Sequence, residues 1–462
     1  MNNNSKVAGH SSSEASALEL GTLSIRRLLV KYSVPAIIAT VLTSLYNIID
    51  SIFIGHGAGP LAIAGLAISF PLMNLVIAFC LLVSVGGATI GSIFLGQKNI
   101  EGATDSVNNV MTLCTIHAVI FGGITLIFLD PILIFFGATP ETLPYSREFM
   151  KVILFGTPVS YIFIGLNNLM RATGHPAKAM ISAFISVPIN ALLAYIFIFR
   201  FGWGIRGAAT ATILSQCCSL VWVMAHFLSR KTFVRLNRHN SWFNPSIVKR
   251  IYPIGLSPFL MNVCTCVVVA LINYSLLHCE GVDGNMAVGA YGIVNRVVVF
   301  FVMVVLGITQ GMQPILGYNY GAKNFSRVNT TLKYGIVAGV GITSLGCLII
   351  ELFPGTISAM FTDSETLISI ATGAFRIMVA CFPFVGCQIV IQNYFQSIGK
   401  PAYSIFLSLT RQLIFLVPFL VFFPRLFGIV GVWCSMAASD FLAFVLAVVV
   451  LIVTSRRWRS AR

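Results

Sequence analysis

Apolar stretches of twenty or more residues recur along the whole of this 462-residue chain, and that recurrence leaves it very few folds. Inside hydrocarbon every backbone N–H and C=O must be satisfied internally, so only helices and closed barrels cross a bilayer. Barrel strands alternate apolar and polar residues over about 10 positions. These stretches instead run unbroken to the length a spanning helix needs, about 20 residues. Twelve spans are read, near 28–54, 61–95, 105–129, 142–171, 177–200, 206–229, 251–277, 286–318, 330–352, 365–397, 402–424 and 429–455. Composition agrees: 57% of residues are hydrophobic and 9% charged, where a soluble chain carries roughly 25% charged residues. The predicted class is an all-α integral membrane protein. Prolines inside the spans are tolerated where neighbouring groups re-satisfy the freed carbonyls. Pro35 and Pro258 are candidate hinges.

Charge sets the expected orientation. With the N-terminus in the cytoplasm, inner loops hold Arg26, Arg27, Lys98, Arg171, Lys178, the cluster from Arg230 to Arg250, Lys323, Lys400 and Arg456 to Arg462. The other side holds only Arg147, Lys151, Arg200, Arg206 and Arg425. Such a Lys/Arg bias places both termini in the cytoplasm, and Arg171 and Lys178 read as anchors at that face. The net charge of +15 follows from this bias and from attraction to anionic lipid. No soluble basic domain is left for nucleic acid. Residues 1–27 read as a disordered cytoplasmic tail, since they lack the apolar core of a signal peptide. The eleven cysteines lie mostly inside apolar runs and imply no disulfide framework.

The chain also repeats itself. A shift of 225 carries Gly86, Gly96, Lys98 and Asn99 onto Gly311, Gly321, Lys323 and Asn324, and Asn168, Gly174, Pro176 and Ala177 onto Asn393, Gly399, Pro401 and Ala402. Pro35 meets Pro258 at a shift of 223, and Gly204, Gly207 and Ser215 meet Gly428, Gly431 and Ser439 at 224. Apolar helices resemble one another by chance in Leu and Val, not in punctuation. Two pseudo-symmetric six-helix bundles follow, at 28–229 and 251–455, joined by a basic linker at 230–250 and ending in a basic tail at 456–462. Six spans per half give both the same orientation, a parallel internal repeat about an axis along the membrane normal. Two facing bundles imply a cleft open alternately to each side.

Two carboxylates lie deep in spans. Such a group costs about 2.5–3.5 kcal/mol on insertion scales and is a functional candidate. Asp50 has Asn273 as its counterpart in the second half, and Asp440 has Gln216 in the first. Tyr46 is one turn from Asp50 on the same helical face. Asn190 and Thr212 fall within about 10 Å of Asp50 in depth at 1.5 Å per residue. Together they form a candidate outer pocket, with Asp50 as proton acceptor. Arg296 shares the depth of Asp440, so an intramembrane pair is expected there, either structural or in contact with substrate.

At this point the chain resembles the multidrug and toxic compound extrusion (MATE) family, most closely its DNA-damage-inducible prokaryotic branch. The residues that carry the resemblance are Pro35, the run Leu45 to Asp50, Arg171-Ala172-Thr173-Gly174, Pro188-Ile189-Asn190, Gly204 to Thr212, Gln313-Pro314 and Gly317 to Ala322. It spans all twelve helices. The resemblance implies secondary active export of cationic or amphipathic small molecules, drugs or toxic metabolites, across a bacterial inner membrane in exchange for H⁺ or Na⁺. It implies no cofactor, no metal site and no obligate protein partner. The family's helix-1 aspartate and tyrosine fall on Asp50 and Tyr46, its helix-5 asparagine on Asn190 and a helix-6 threonine on Thr212. Several members carry Asp or Asn four residues after that asparagine; this chain has Ala194. A Na⁺ site needs several hard oxygen ligands, so the loss favours H⁺. A family asparagine in helix 4 falls on Asn167, which lies too near Arg171 and the cytoplasm for the Asp50 pocket. The alternatives are a lipid-linked oligosaccharide flippase, which needs a more basic cavity than Arg296, Arg376 and Arg411 supply, and an uptake carrier. A membrane-embedded enzyme would need clustered acids or a His/Asp pair, and His56, His117 and His278 have no acid at fixed spacing.

Overall fold

Nine helices cross singly: α1 Ile25–Ala58, α2 Pro60–Gly96, α3 Ile100–Ile127, α4 Leu143–Ala172, α5 Pro176–Tyr195 with its π-helical turn Ile196–Arg200, α6 Gly204–Leu228, α7 Pro245–Leu277, α8 Gly284–Gly321 and α9 Phe325–Leu352. The coordinates are a computed structural model that describes residues 18–460 except 231, 238–239 and 279–283. The tenth span, α10, is a pair, Glu365–Val379 and Phe382–Ser397, bent by 52°. Pro383 opens its second piece, where a missing N–H costs nothing.

Pro401–Arg456 is one run of 56 residues, about 84 Å of helix and more than twice the hydrocarbon thickness. It leaves helical geometry at Gly428, whose φ of 56° and ψ of −138° suit a residue without Cβ. The chain doubles back there: a methyl on Gly431 would lie 2.2 Å from the Phe423 carbonyl oxygen. The run is therefore two spans, α11 before Gly428 and α12 after it. Twelve spans result among the described residues.

The repeat is visible in detail. Short helices Leu129–Phe135 and Pro354–Ala359 follow α3 and α9 at equivalent places. Between α2 and α3, and again between α8 and α9, the left-handed residue is a lysine, Lys98 (φ 59°) and Lys323 (φ 57°). Each costs about 1 kcal/mol relative to glycine. The asparagine that follows caps the next helix, Asn99 accepting from Gly102 N at 2.8 Å and Asn324 from Arg327 N at 3.4 Å.

Two separate apolar cores mark two lobes. The division falls within α7. Its first turns, Ile247, Ile251 and Ile254, belong to the first core, and Val268, Ile272 and Leu276 belong to the second. Pro253 and Pro258 lie at the crossover. α7 thus contributes to both cores, and α8 does so too through Ile315 and Tyr318 at its basic end.

On the Lys/Arg-rich side, hereafter the basic face, the lobes meet backbone to backbone. A methyl on Gly96 would fall 1.9 Å from the Tyr318 carbonyl oxygen, and one on Gly321 2.2 Å from that of Ile93. The expected tail is also shorter than residue 27. Residues 18–22 are helical with Leu20 fully buried. The Leu20 carbonyl accepts from Asn319 Nδ2 at 2.9 Å and Arg327 Nη2 at 3.1 Å. Residues 1–17 lie outside the described residues.

The linker is likewise not free. Asp105 Oδ1 accepts from Asn240 Nδ2 at 2.9 Å and Ser241 N at 3.2 Å. Asn108 Nδ2 donates to the Asn237 carbonyl at 2.8 Å, and Asn109 Oδ1 accepts from Asn244 N at 2.7 Å. Asp105, Asn108 and Asn109 share one face of α3 by their i, i+3, i+4 spacing. They hold the linker as a strap on the first lobe.

Candidate functional site

In the first lobe α1 packs on α5 and α5 on α6, and this brings the expected residues together. Tyr46 and Asp50 stand one turn apart on α1, and Asp50 is 9% exposed. Asn190, from α5, and Thr212, from α6, are also buried. Tyr46 Oη and Thr212 Oγ1 are 2.8 Å apart, and Asn190 Nδ2 donates to Thr212 Oγ1 at 3.5 Å. Thr212 Oγ1 also donates to the Ala208 carbonyl at 3.0 Å, as a threonine in a helix interior can. Either hydroxyl can be the donor in the bond between Tyr46 and Thr212. The Tyr46 and Thr212 hydroxyls are the side-chain hydrogen-bonding neighbours of the Asp50 carboxyl.

The pocket is short of protons. Asp50 Oδ1 and Asn190 Oδ1 are both buried with no hydrogen-bond partner among the described residues. An unsatisfied buried acceptor costs about 1–3 kcal/mol, more when charged. A proton on Asp50 supplies a missing donor and removes the charge. Ala194, one turn beyond Asn190, is fully buried and contributes only a methyl.

Below the pocket, toward the basic face, lies a cavity of about 360 Å³. Its lining includes Tyr46 from α1, Asn167, Asn168 and Arg171 from α4, Gln216 from α6 and Gln310 from α8. Arg171 does not anchor the helix end in the lipid interface as expected. It turns inward, Nη1 donating to Gln310 Oε1 in the other lobe and Nη2 to Asn168 Oδ1. One turn separates Arg171 from Asn167 and Asn168, so all three share the inner face of α4. Asn167 stays out of the Asp50 pocket, donating instead to Ser182 Oγ and the Ala179 carbonyl. The sequence reading missed Gln310. The signal was an amide in an apolar helix, three residues before the Gln313-Pro314 pair.

The expected Asp440–Arg296 pair does not form. Asp440 Oδ1 accepts from Arg411 Nε at 2.7 Å, between α12 and α11. Arg296 is exposed. On α8 it is Tyr291 that faces α12, its ring stacked on Trp433. Five residues of helix turn Arg296 about 140° away from that contact. Shared depth did not make the two neighbours.

The MatE family model matches residues 35–196 and 253–422, two blocks that fall one in each half of the repeat. The multidrug export protein MepA of Staphylococcus aureus (strain N315) is 26% identical over 435 residues, covering 93% of this chain and 94% of its own. MepA of Staphylococcus haemolyticus (strain JCSC1435) is 27% identical over 439 residues, covering 94% and 95%. Among solved structures, the outward-facing conformation of a multidrug resistance MATE family transporter of the MOP superfamily superposes with a TM-score of 0.89 at 24% identity, over 96% of this chain and 98% of that one. That likeness concerns the fold.

Proposed function

Because the chain belongs to the MatE family, we propose that it is a secondary active exporter of small amphipathic molecules, driven by protons entering through Asp50. The relatives named as multidrug export proteins support the export reading. The observation that carries the coupling reading is the pair of donor-less oxygens, Asp50 Oδ1 and Asn190 Oδ1, in one buried pocket. With a single carboxylate there, one proton neutralises the site. The Lys/Arg bias supports a cytoplasmic basic face with both termini on that side, in a bacterial inner membrane.

In this mechanism deprotonated Asp50 keeps the first lobe's pocket polar and hydrated. Protonation from outside lets the carboxyl donate, so that α1, which carries Pro35 inside its span, repacks against α5 and α6 and the cavity beneath narrows. Alternation then closes one face as it opens the other. The contacts of Gly96 with Tyr318 and of Gly321 with Ile93 are the closure on the cytoplasmic side.

Proteoliposomes carrying the wild type and Asp50→Asn, under H⁺ and Na⁺ gradients imposed separately, test this. Dye export is expected with the H⁺ gradient alone, and Asp50→Asn is expected to lose it while remaining folded. Export by Asp50→Asn at the wild-type rate, or wild-type export driven by Na⁺ alone, would falsify the proton reading.

A further inference from the structure

The cavity beneath the Asp50 pocket has a chemistry that the proton pathway does not explain. Its volume, about 360 Å³, lies within the range of small-molecule sites. Its walls are largely apolar, with Leu81, Phe163 and Met303 among them, interrupted by hydroxyls and amides, and no Asp or Glu is among its lining residues. The one charged side chain in that lining is Arg171. A guanidinium has five N–H donors in a planar fork. At Arg171 two of these bonds go to neutral amide oxygens, Gln310 Oε1 and Asn168 Oδ1, and none goes to a carboxylate. The ion pairs Lys31–Glu19, Arg147–Asp130 and Arg411–Asp440 do not involve Arg171.

Cations taken out of water are ordinarily paired with an anion. Here the protein provides none, although the same chain pairs Arg411 with Asp440 in its other lobe. A substrate that is only cationic would meet a like charge in this cavity. One that carries a carboxylate would meet the fork that binds carboxylates two-pronged. We infer that Arg171 is the substrate-binding residue for an anionic group, and that the molecules exported are amphipathic compounds bearing a carboxylate. A single guanidinium suits one carboxylate and not a lipid-linked diphosphate, which takes a cluster of cations. Arg171 spans from α4 to Gln310 of α8, so the anionic group is held where the two lobes meet. This inference rests on the export reading for the direction of transport, but not for binding.

Rhodamine 110 and its methyl ester, rhodamine 123, differ in the presence of a free carboxylate and are the probes. Their equilibrium binding to the purified full-length protein is followed by fluorescence polarisation. Wild type is expected to favour rhodamine 110 by about tenfold, the size of one charge-assisted contact. Arg171→Gln should bring the ratio of the two affinities close to one. Arg171→Lys, which keeps the charge without the fork, should leave a reduced preference of the same sign. It also serves as the readout if the glutamine variant fails to fold. A wild-type preference for rhodamine 123, or an unchanged ratio in Arg171→Gln, overturns the inference. Transport in proteoliposomes is scored separately: if neither dye is moved, the export reading fails while the affinity ratio still decides the role of Arg171.

Discussion

Gly96 and Tyr318 meet at a distance that allows no side chain: a methyl on Gly96 would lie 1.9 Å from the Tyr318 carbonyl oxygen. The repeat produces the contact twice, because a shift of 225 carries Gly96 onto Gly321 and Ile93 onto Tyr318. The atoms in the way are backbone, so a substituted side chain cannot rotate clear. Gly96→Ala and Gly321→Ala should each weaken the seam by about 1–3 kcal/mol. They should act in the same direction, toward a molecule open on the basic face. Spin-label distances across that face would show it. Opposite shifts for the two variants would contradict the symmetry.

Tyr46 links α1 to α6 through its 2.8 Å bond to Thr212. Tyr46→Phe removes the hydroxyl and leaves Thr212 Oγ1 without its nearest side-chain partner, at a cost of about 1 kcal/mol. Proton-driven export should fall about fivefold at neutral pH, and lowering the external pH should not restore it. A variant indistinguishable from wild type across the pH range would remove Tyr46 from the coupling network.

The Arg411–Asp440 pair is only partly exposed, its side chains 25% and 15% accessible. Breaking a buried pair typically costs 3–5 kcal/mol because one charge is left alone. Arg411→Ala should therefore lower the melting temperature sharply. Arg411→Met combined with Asp440→Leu should restore much of the loss. Arg296→Ala, at an exposed position, should change stability by less than about 0.5 kcal/mol. A large loss from Arg296→Ala with none from Arg411→Ala would reinstate the pair expected from depth.

His175, in the turn between α4 and α5, packs its ring 4.6 Å from that of His226. Burial pushes the imidazole down to about 4, and the nearby Lys178 and Lys31 push in the same direction. The folded protein therefore keeps His175 neutral where the unfolded chain, near the ordinary value of about 6.5, takes a proton. The stability this contributes is complete above about pH 6.5 and is lost as the pH falls toward 4, a change of about 1–3 kcal/mol. Melting temperatures between pH 7 and 4.5 should fall for the wild type and fall less for His175→Phe. Parallel curves would assign the acid sensitivity to another group.

The spans were legible because hydrocarbon thickness fixes helix length. The repeat was legible because glycine, proline and the Lys-Asn turn cannot be exchanged for other residues. Lys98 and Lys323 show how literal the copying is: both adopt the left-handed conformation that glycine normally takes. Asp50, Tyr46, Asn190 and Thr212 could be grouped because depth and a helical turn already placed three of them near the fourth. Rotation about each helix axis was not legible. Depth alone paired Asp440 with Arg296, whereas neighbourhood and rotation gave it Arg411. The same blindness sent Arg171 to the lipid interface when its face of α4 points inward. The strap went unread because its two parts, around Asp105 and Asn240, are 135 residues apart.

That strap bears on what makes the molecule one object. The covalent path between the lobes passes through a linker tied to α3, with Val234 buried in the first core, and then enters α7, whose halves serve two different cores. Mechanically the chain is two bodies on an axle, α7, with the basic end of α8 also reaching into the first core through Ile315 and Tyr318. A backbone nick between the exposed Trp242 and Phe243 would leave both bodies, their seam and the axle intact. Fusion into one polypeptide therefore adds little to how the halves hold each other, and two separately made halves contain everything the joint needs.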